Sequence, residues 1–266
     1  AVGSFLNVLV YRLPARMNIA WPGSRCPRCG HAIRWFDNLP VLSWLLLRGR
    51  CRDCGEPIAI RYPLVEAVTA AGFGVLAAVE VLAEGANLPI PAAPWTGRLL
   101  LAVFACHAGL LITLLVAALI QVDGNRAPLR LFLPILVVAT AAPLAWPDLR
   151  PVAAWSGLGG WQAGLIGGTF GLAVGAICGL LATLADRQPP KSSSDTILAA
   201  TCVGAMLGWQ AVVPIAAAAV IVHQLVHLAI ARPAARIRIP FSAWLGFGTL
   251  VWILCWREFA GWTSWL

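Results

Sequence analysis

Four cysteines have the residue types and spacing of a metal site. They form two Cys-x-x-Cys-Gly motifs, Cys26 with Cys29 and Cys51 with Cys54, separated by 21 residues. Two residues between thiols let both point at one ion, and the glycine that follows lets the backbone turn. Four such thiolates predict a tetrahedral structural zinc site with no open position for catalysis. The alternatives are free thiols or two disulfides, and disulfides would require an oxidising compartment.

Two acids at the ends of apolar runs are the second candidate for chemistry. Asp123 follows the run 98–121, and Asp195 precedes a short run at 196–208. Two carboxylates that meet can share a proton, so that one acts as a base toward water and the other as an acid toward a peptide carbonyl. The same residues also suit a turn before a glycine and a helix N-cap. Spacing alone leaves both interpretations open.

Two further polar features lie inside apolar runs. His223 and His227 are one helical turn apart, a spacing compatible with a metal, but no third ligand stands nearby in the sequence. An interhelical hydrogen-bonding role is therefore favoured for them. Glu80 lies near the end of its run, where we expect its carboxylate to reach water.

The composition indicates that the elements around these residues are solvated mainly by lipid. The chain is 60% apolar and 11% charged, with a mean hydropathy of +0.81. Soluble globular chains carry about 25% charged residues. A soluble enzyme, a disordered tail and a disulfide-rich secreted module are excluded.

Apolar runs of membrane length predict an all-α polytopic membrane protein. About 20 helical residues cross the hydrocarbon core, and such runs occur at 64–84, 98–121, 128–146, 161–184, 211–231 and 240–256. With the short run 196–208 and a truncated first helix that begins before residue 1, about eight transmembrane helices are expected. The predicted organisation is the end of the first membrane helix at 1–11, a cytoplasmic loop with the zinc knuckles at 12–62, and a membrane body at 63–266.

The net charge of +8 indicates topology rather than nucleic-acid binding, because nine arginines against three acids lie in residues 1–62. The positive-inside rule places that loop in the cytoplasm, where reducing conditions favour zinc over disulfides. The loops on the same side hold Arg126, Arg187, Lys191, Arg232, Arg236 and Arg238, and the opposite loops hold only Arg150. The basic loop is also expected to be attracted to anionic lipid headgroups.

Several sequence motifs carry a family resemblance. They are GSFLNV at 3–8, YRLP at 11–14, the two cysteine motifs, NLPVLSWL at 38–45, LRGRC at 47–51, RYPLVE at 61–66, GAMLGWQ at 204–210 and IPF at 239–241. With these motifs the chain resembles the type IV prepilin leader peptidases, membrane aspartic proteases also called prepilin peptidase/N-methyltransferases. The resemblance is dense before residue 67 and looser after it.

The resemblance implies an aspartic endopeptidase of the bacterial inner membrane. Such enzymes cleave the leader of prepilins and pseudopilins at the cytoplasmic face, and many then N-methylate the new terminus with S-adenosylmethionine, an activity associated with the basic loop. The implied partners are the lipid bilayer and prepilin or pseudopilin substrates, with no nucleic acid. The implied catalytic groups are a pair of aspartates, for which Asp123 and Asp195 are the candidates in this chain.

The chain departs from the family pattern at both acids. The family's first catalytic aspartate, seven residues before a proline, corresponds to Gln121, and Asp123 matches the second acid of that stretch. The Gly-x-Gly before the second aspartate is replaced by Ser192, Ser193 and Ser194, and Leu198 replaces the lysine. Counting back from Gly204 without a gap puts Thr196 at the catalytic position, one residue after Asp195.

Two functional hypotheses follow from this pattern. In the first, Asp123 and Asp195 form a relocated pair in an active, divergent peptidase. In the second, the chain has lost proteolysis and serves as an assembly or scaffolding factor of a pilus or type II secretion system, or only transfers the methyl group.

Overall fold

The described part of the chain forms two compact units, which we call the N-terminal unit (Ala1–Val75) and the C-terminal unit (Leu76–Leu266). The computed structural model describes residues 2–89, 97–146, 149, 160–186, 193–229 and 239–263. Within those ranges regular structure is helical, apart from two isolated bridges, Arg25 with Ala32 and Arg50 with Pro57.

The N-terminal unit joins two apolar helices to a polar loop. Its helices are α1 (Val2–Arg12), the short α2 (Leu42–Leu46) and α3 (Arg61–Ala77), with a 3₁₀ turn at Trp35–Asn38. The Arg12 guanidinium at the end of α1 donates to the carbonyls of Asn18 (3.0 Å) and Pro22 (2.6 Å), which ties the start of the loop to the helix.

Glu66 holds α1 and the polar loop against α3. Its carboxylate accepts the backbone amide of Val41 at 2.8 Å and the hydroxyl of Ser4. A Cβ at Gly3 would lie 2.6 Å from the Glu66 Cα, so α1 and α3 touch backbone to backbone at this glycine. Only glycine permits that approach.

The C-terminal unit is a helical bundle that begins with a π-helical turn at Ala78–Leu82. Its helices are α4 (Gly97–Val122), α5 (Leu129–Ala145), α6 (Gly160–Ala185), α7 (Ser193–Leu207), α8 (Trp209–Ala229), α9 (Phe241–Leu254) and α10 (Trp256–Thr263). The short α7 is buried along most of its length and packs against α4, α5, α6, α8 and α9.

Glycines on α6 let α7 pack directly on its backbone. A Cβ at Gly171 would lie 2.1 Å from the Gly204 carbonyl oxygen, and a Cβ at Gly175 would lie 2.6 Å from that of Ala200. The helix α7 ends at Gly208, whose φ of +90° starts the chain in a new direction toward α8. The short apolar run of the sequence is therefore a separate, central helix.

The helices confirm the predicted all-α polytopic membrane fold. Four are long and apolar enough to cross a membrane, namely Arg61–Leu82, Gly97–Val122, Trp161–Ala185 and Trp209–Ala229. Shorter apolar helices are Leu129–Leu144, Ser193–Leu207 and Phe241–Leu254. Several loop residues used for the predicted topology lie outside the described residues: Arg150, Arg187, Lys191, Arg232, Arg236 and Arg238.

Glu80 is buried, and the expectation that it reaches water is wrong. The side chain is 0% exposed, and its Oε1 lies 2.5 Å from Nδ1 of His107 on α4. The Asn87 amide donates to the same oxygen at 3.3 Å and to the Ile253 carbonyl at 2.8 Å. The backbone after the π-helical turn folds back over Glu80, which closes a polar network that the apolar run did not reveal.

Candidate functional site

The four knuckle cysteines come together in the N-terminal unit. Their Sγ atoms all lie within 4.8 Å of one another, and those of Cys26 and Cys54 are 3.8 Å apart. All four thiols are free, since a disulfide would need a separation of about 2.05 Å. The cluster has the ligand number and type of a tetrahedral thiolate metal site.

The two knuckles are copies of one backbone turn. In each, the first cysteine donates its amide to a carbonyl five residues on, from Cys26 to His31 (2.9 Å) and from Cys51 to Glu56 (2.8 Å). The glycines after the second cysteines, Gly30 and Gly55, have φ of +73° and +72°. This left-handed conformation favours glycine, which explains the fifth residue of each motif.

The electrostatics of the cluster suit a cation. Hydrogen bonds from the backbone of Cys29 and Arg28 lower the pKa of the Cys26 thiol to about 7. The backbone of Glu56 also lowers the pKa of Cys54, but desolvation and the neighbouring thiols outweigh it and raise that pKa to about 12. A bound cation favours the thiolate form of cysteine ligands, so metal binding would offset the raised pKa of Cys54.

Ion pairs connect the knuckles and the segment between them. Arg28 lies 3.2 Å from Glu56, and Arg34 lies 3.1 Å from Asp53. Arg52 holds Asp37 at 2.6 Å, and the hydrogen bond it donates lowers the pKa of that carboxyl. Surface ion pairs add little to stability because solvent screens them, so they align the knuckles rather than fold them.

The same unit contains a cavity of about 700 Å³. Ligand-binding cavities commonly measure about 300–1,000 Å³. Its lining combines aromatic rings, arginines and carboxylates, including Tyr11, Arg12, Asp37, Trp44, Arg52 and Glu66. The aromatic rings of such a lining can stack on a nucleobase, its arginines can pair with a carboxylate, and its acids can pair with an ammonium group.

Asp195 is a buried acid in the first turn of α7. It is 2% exposed, and its Oδ2 accepts the backbone amide of Ala127 at 2.8 Å. Ala127 belongs to the α4–α5 loop, residues 123–128, which Asp123 opens. The N-terminal position on the helix also favours a negative charge.

Asp123 is exposed at a tight turn that ends α4. Its amide still bonds to the Leu119 carbonyl at 3.1 Å, and Gly124 then takes a φ of +74°. The structure thus brings Asp195 against the loop that carries Asp123, while Asp123 itself faces outward. Ser192, part of the serine run that precedes Asp195, lies outside the described residues.

Gln121 is tied to α9. Its Oε1 accepts the hydroxyl of Ser242 at 2.6 Å, and Ser242 is 0% exposed. Its Nε2 is buried and has no hydrogen-bond partner among the described residues. Sequence analysis missed Ser242; the signal was its place directly after the IPF motif.

Comparison with known proteins bears on both units. The family model "Bacterial Peptidase A24 N-terminal domain" matches residues 1–80. The "Prepilin leader peptidase/N-methyltransferase" of Burkholderia pseudomallei (strain 1026b) is 34% identical over 277 residues, covering 93% of this chain and 80% of that protein. The chain belongs to the prepilin leader peptidase/N-methyltransferase family.

Two other members show how the similarity is distributed. The Klebsiella pneumoniae protein of the same name is 35% identical over 224 residues, or 79% of this chain and 82% of that protein. The Myxococcus xanthus protein of that name is 62% identical over 68 residues, or 26% of this chain and 20% of that protein. No solved structure matches the chain. The chain is a multi-pass bacterial membrane protein of this family.

Proposed function

We propose that this family member cleaves the leader of pilin-like precursors at the cytoplasmic face of the inner membrane, with Asp123 and Asp195 as its acids. One observation carries the proposal. The buried Asp195 carboxylate is bonded to the Ala127 amide, inside the loop that Asp123 opens. A buried acid at a helix start, next to a loop with a second acid, supports a two-carboxylate site.

The chemistry assigned to the pair is peptide hydrolysis by water. The ionised carboxylate takes a proton from water as the oxygen attacks the scissile carbonyl, and the protonated carboxylate gives its proton to the carbonyl oxygen. Collapse of the tetrahedral intermediate breaks the C–N bond, and the proton taken from water passes to the leaving amine. Asp195 is the buried member of this pair, and Asp123 is the member next to solvent.

Cleavage of a co-expressed prepilin tests the pair. Asp123→Asn and Asp195→Asn should each lower the cleavage rate about a hundredfold or more, since each removes an acid–base group. Glu84→Gln, which alters an exposed carboxyl outside the site, should leave the rate unchanged. Normal cleavage in both aspartate variants would rule out this pair.

A second function is favoured by Gln121, which stands at the family's first catalytic position and is bonded to Ser242. An amide cannot act as a general base, so the chain would hold pilin-like proteins for assembly without cutting them. This proposal expects the purified chain to leave a prepilin uncut in detergent. Cleavage by the purified wild-type chain, lost in Asp195→Asn, would reject it.

Methyl transfer is proposed for the N-terminal unit, with zinc in the knuckle cluster as its structural ion. The residues fit both groups, because four thiols suit zinc and the 700 Å³ cavity has a lining suited to S-adenosylmethionine. That cofactor would supply the methyl group. Tyr11 and Trp44 would supply the aromatic part of its site.

Binding of radiolabelled S-adenosylmethionine to the full chain tests the cavity. Tyr11→Ala alters a lining ring and should weaken binding at least about fivefold, the equivalent of about 1 kcal/mol. Trp21→Ala removes a comparably exposed ring that does not line the cavity and should change nothing. Equal binding by both variants would place the cofactor elsewhere.

A further inference from the structure

Asp186, His223 and His227 form a polar cluster that the proposed function does not use. Asp186 directly follows α6, and the two histidines are one turn apart near the end of α8. Nε2 of His223 lies 3.5 Å from Oδ2 of Asp186, and the two imidazole ring centres are 4.4 Å apart. The sequence offers no third ligand next to the two histidines. In the structure that candidate is Asp186, which follows a different helix.

The His223 side chain is buried and suited to act as a metal ligand. It is 5% exposed, and neither ring nitrogen has a hydrogen-bond partner among the described residues. Leaving a buried polar group unsatisfied costs about 1–3 kcal/mol. The contact of His223 with Asp186 does join α8 to the end of α6, but at 3.5 Å it is longer than a usual hydrogen bond.

The separation of His223 and Asp186 matches two ligands of one ion. With metal–nitrogen and metal–oxygen distances near 2.0–2.2 Å, tetrahedral ligand atoms are about 3.4 Å apart. The observed 3.5 Å is therefore long for a direct hydrogen bond and suited to a bridging cation.

We propose that Asp186, His223 and His227 form a second divalent metal site, separate from the knuckle cysteines. His223 and Asp186 already have the ligand separation, and His227, one turn further on the same helix, completes the set by rotation of its side chain. Two imidazoles and a carboxylate suit Zn²⁺ or Co²⁺. Three protein ligands leave a position for water.

The site lies beside the Gln121 contact. The Phe241 ring is 6.2 Å from that of His223, and the next residue, Ser242, donates to Gln121. A metal ion at this position would link the end of α6 to α8, and both lie beside the start of α9. Its occupancy is independent of whether the chain cuts a prepilin, so the two proposals fail separately.

Metal content of the full chain in detergent tests the site. After zinc loading and dialysis, the wild type should retain two zinc ions per chain, and His223→Ala/His227→Ala should retain one. A variant with Ser at all four knuckle positions should also retain one ion. Its Co²⁺ complex should show weak visible d–d bands without thiolate-to-metal absorption.

Gln224→Ala is the matched control, since it lies between the two histidines and removes a hydrogen bond to the Ala185 carbonyl of 2.7 Å. It should retain both ions. Where the double alanine variant does not fold, His227→Gln, at a partly exposed residue, and Asp186→Asn should each weaken Co²⁺ binding at least about tenfold. One zinc per wild-type chain, or Co²⁺ affinity unchanged in these variants, would overturn the proposal.

Discussion

Ser242 shows how one side chain determines the surroundings of Gln121. Its hydroxyl donates a hydrogen bond to the side-chain carbonyl of Gln121, and the serine itself is 0% exposed. An amide at this position therefore has a specific partner on α9. The residue pair was not predictable from spacing, because its members are 121 positions apart.

Replacing Ser242 should destabilise the chain through Gln121. Ser242→Ala leaves the part-buried Gln121 carbonyl without its donor, at a cost of about 1 kcal/mol or more. Thr249→Val is the control, because the Thr249 hydroxyl bonds within its own helix, to the Leu245 carbonyl at 2.7 Å. Thermal unfolding in detergent should show a lower Tm for Ser242→Ala alone; equal Tm values would mean that Gln121 finds another partner.

Among the elements of the fold, the loop that carries the two cysteine knuckles, residues 12–60, depends on its metal to fold. It has few buried apolar residues, and its turns are closed by backbone bonds around the thiols. Metal binding therefore supplies much of its folding free energy.

Removing one thiol should unfold the loop but spare the helices. Cys51→Ser should weaken and shift the thiolate-to-Co²⁺ absorption and speed proteolysis within residues 12–60 at least tenfold. Cys255→Ser alters an exposed cysteine outside the cluster and should change neither. Helical circular dichroism should stay the same in both variants; an unchanged cobalt spectrum in Cys51→Ser would show that Cys51 is not a ligand.

The α6–α7 contact permits a matched pair of glycine substitutions. Gly171→Ala places a Cβ 2.1 Å from the Gly204 oxygen and should cost about 3 kcal/mol or more. Gly72→Ala on α3 meets nothing within 4 Å and should be neutral or stabilising by about 1 kcal/mol. Unfolding temperatures in detergent compare the two, and a tolerated Gly171→Ala would mean that α6 and α7 separate easily.

At the scale of the whole molecule, Asn87 links the start of the C-terminal unit to its last helices. Its side-chain amide donates to the Ile253 carbonyl, and its backbone carbonyl accepts the backbone amide of Arg257 at 2.8 Å. Both contacts join segments that are far apart in sequence.

Loss of the Asn87 side chain should therefore weaken the whole C-terminal unit. Asn87→Ala removes the donor to Glu80 and Ile253 and should cost about 2 kcal/mol or more. Asn125→Ala, in the exposed α4–α5 loop, should leave the Tm within a degree or two. If both variants had a similar Tm, the hydrogen bonds of Asn87 would not be what holds the two ends of the C-terminal unit together.

Local patterns predicted much of this architecture, and long-range contacts account for the rest. Apolar run length located the membrane helices, and Cys-x-x-Cys-Gly spacing located the thiol cluster, because both are set by neighbours in the chain. The burial of Glu80 and the meeting of Asp186 with His223 depend on how distant helices pack, which hydropathy does not encode. The close α6–α7 contact is indicated by a local pattern, because small residues four apart are typical of helix interfaces in membranes. In α6 these residues are Gly171, Gly175 and Gly179.

The backbone contact between α6 and α7 has a consequence for how the two acids can approach. Because α7 packs directly on the α6 backbone at Gly171 and Gly175, a shift of α7 and its Asp195 would disturb this close contact. The turn at Gly124 carries the exposed Asp123, and its loop is joined to Asp195 through the Ala127 amide. We therefore expect a closer approach of the two carboxylates to come from rearrangement of the turn around Asp123, with Asp195 as the reference point.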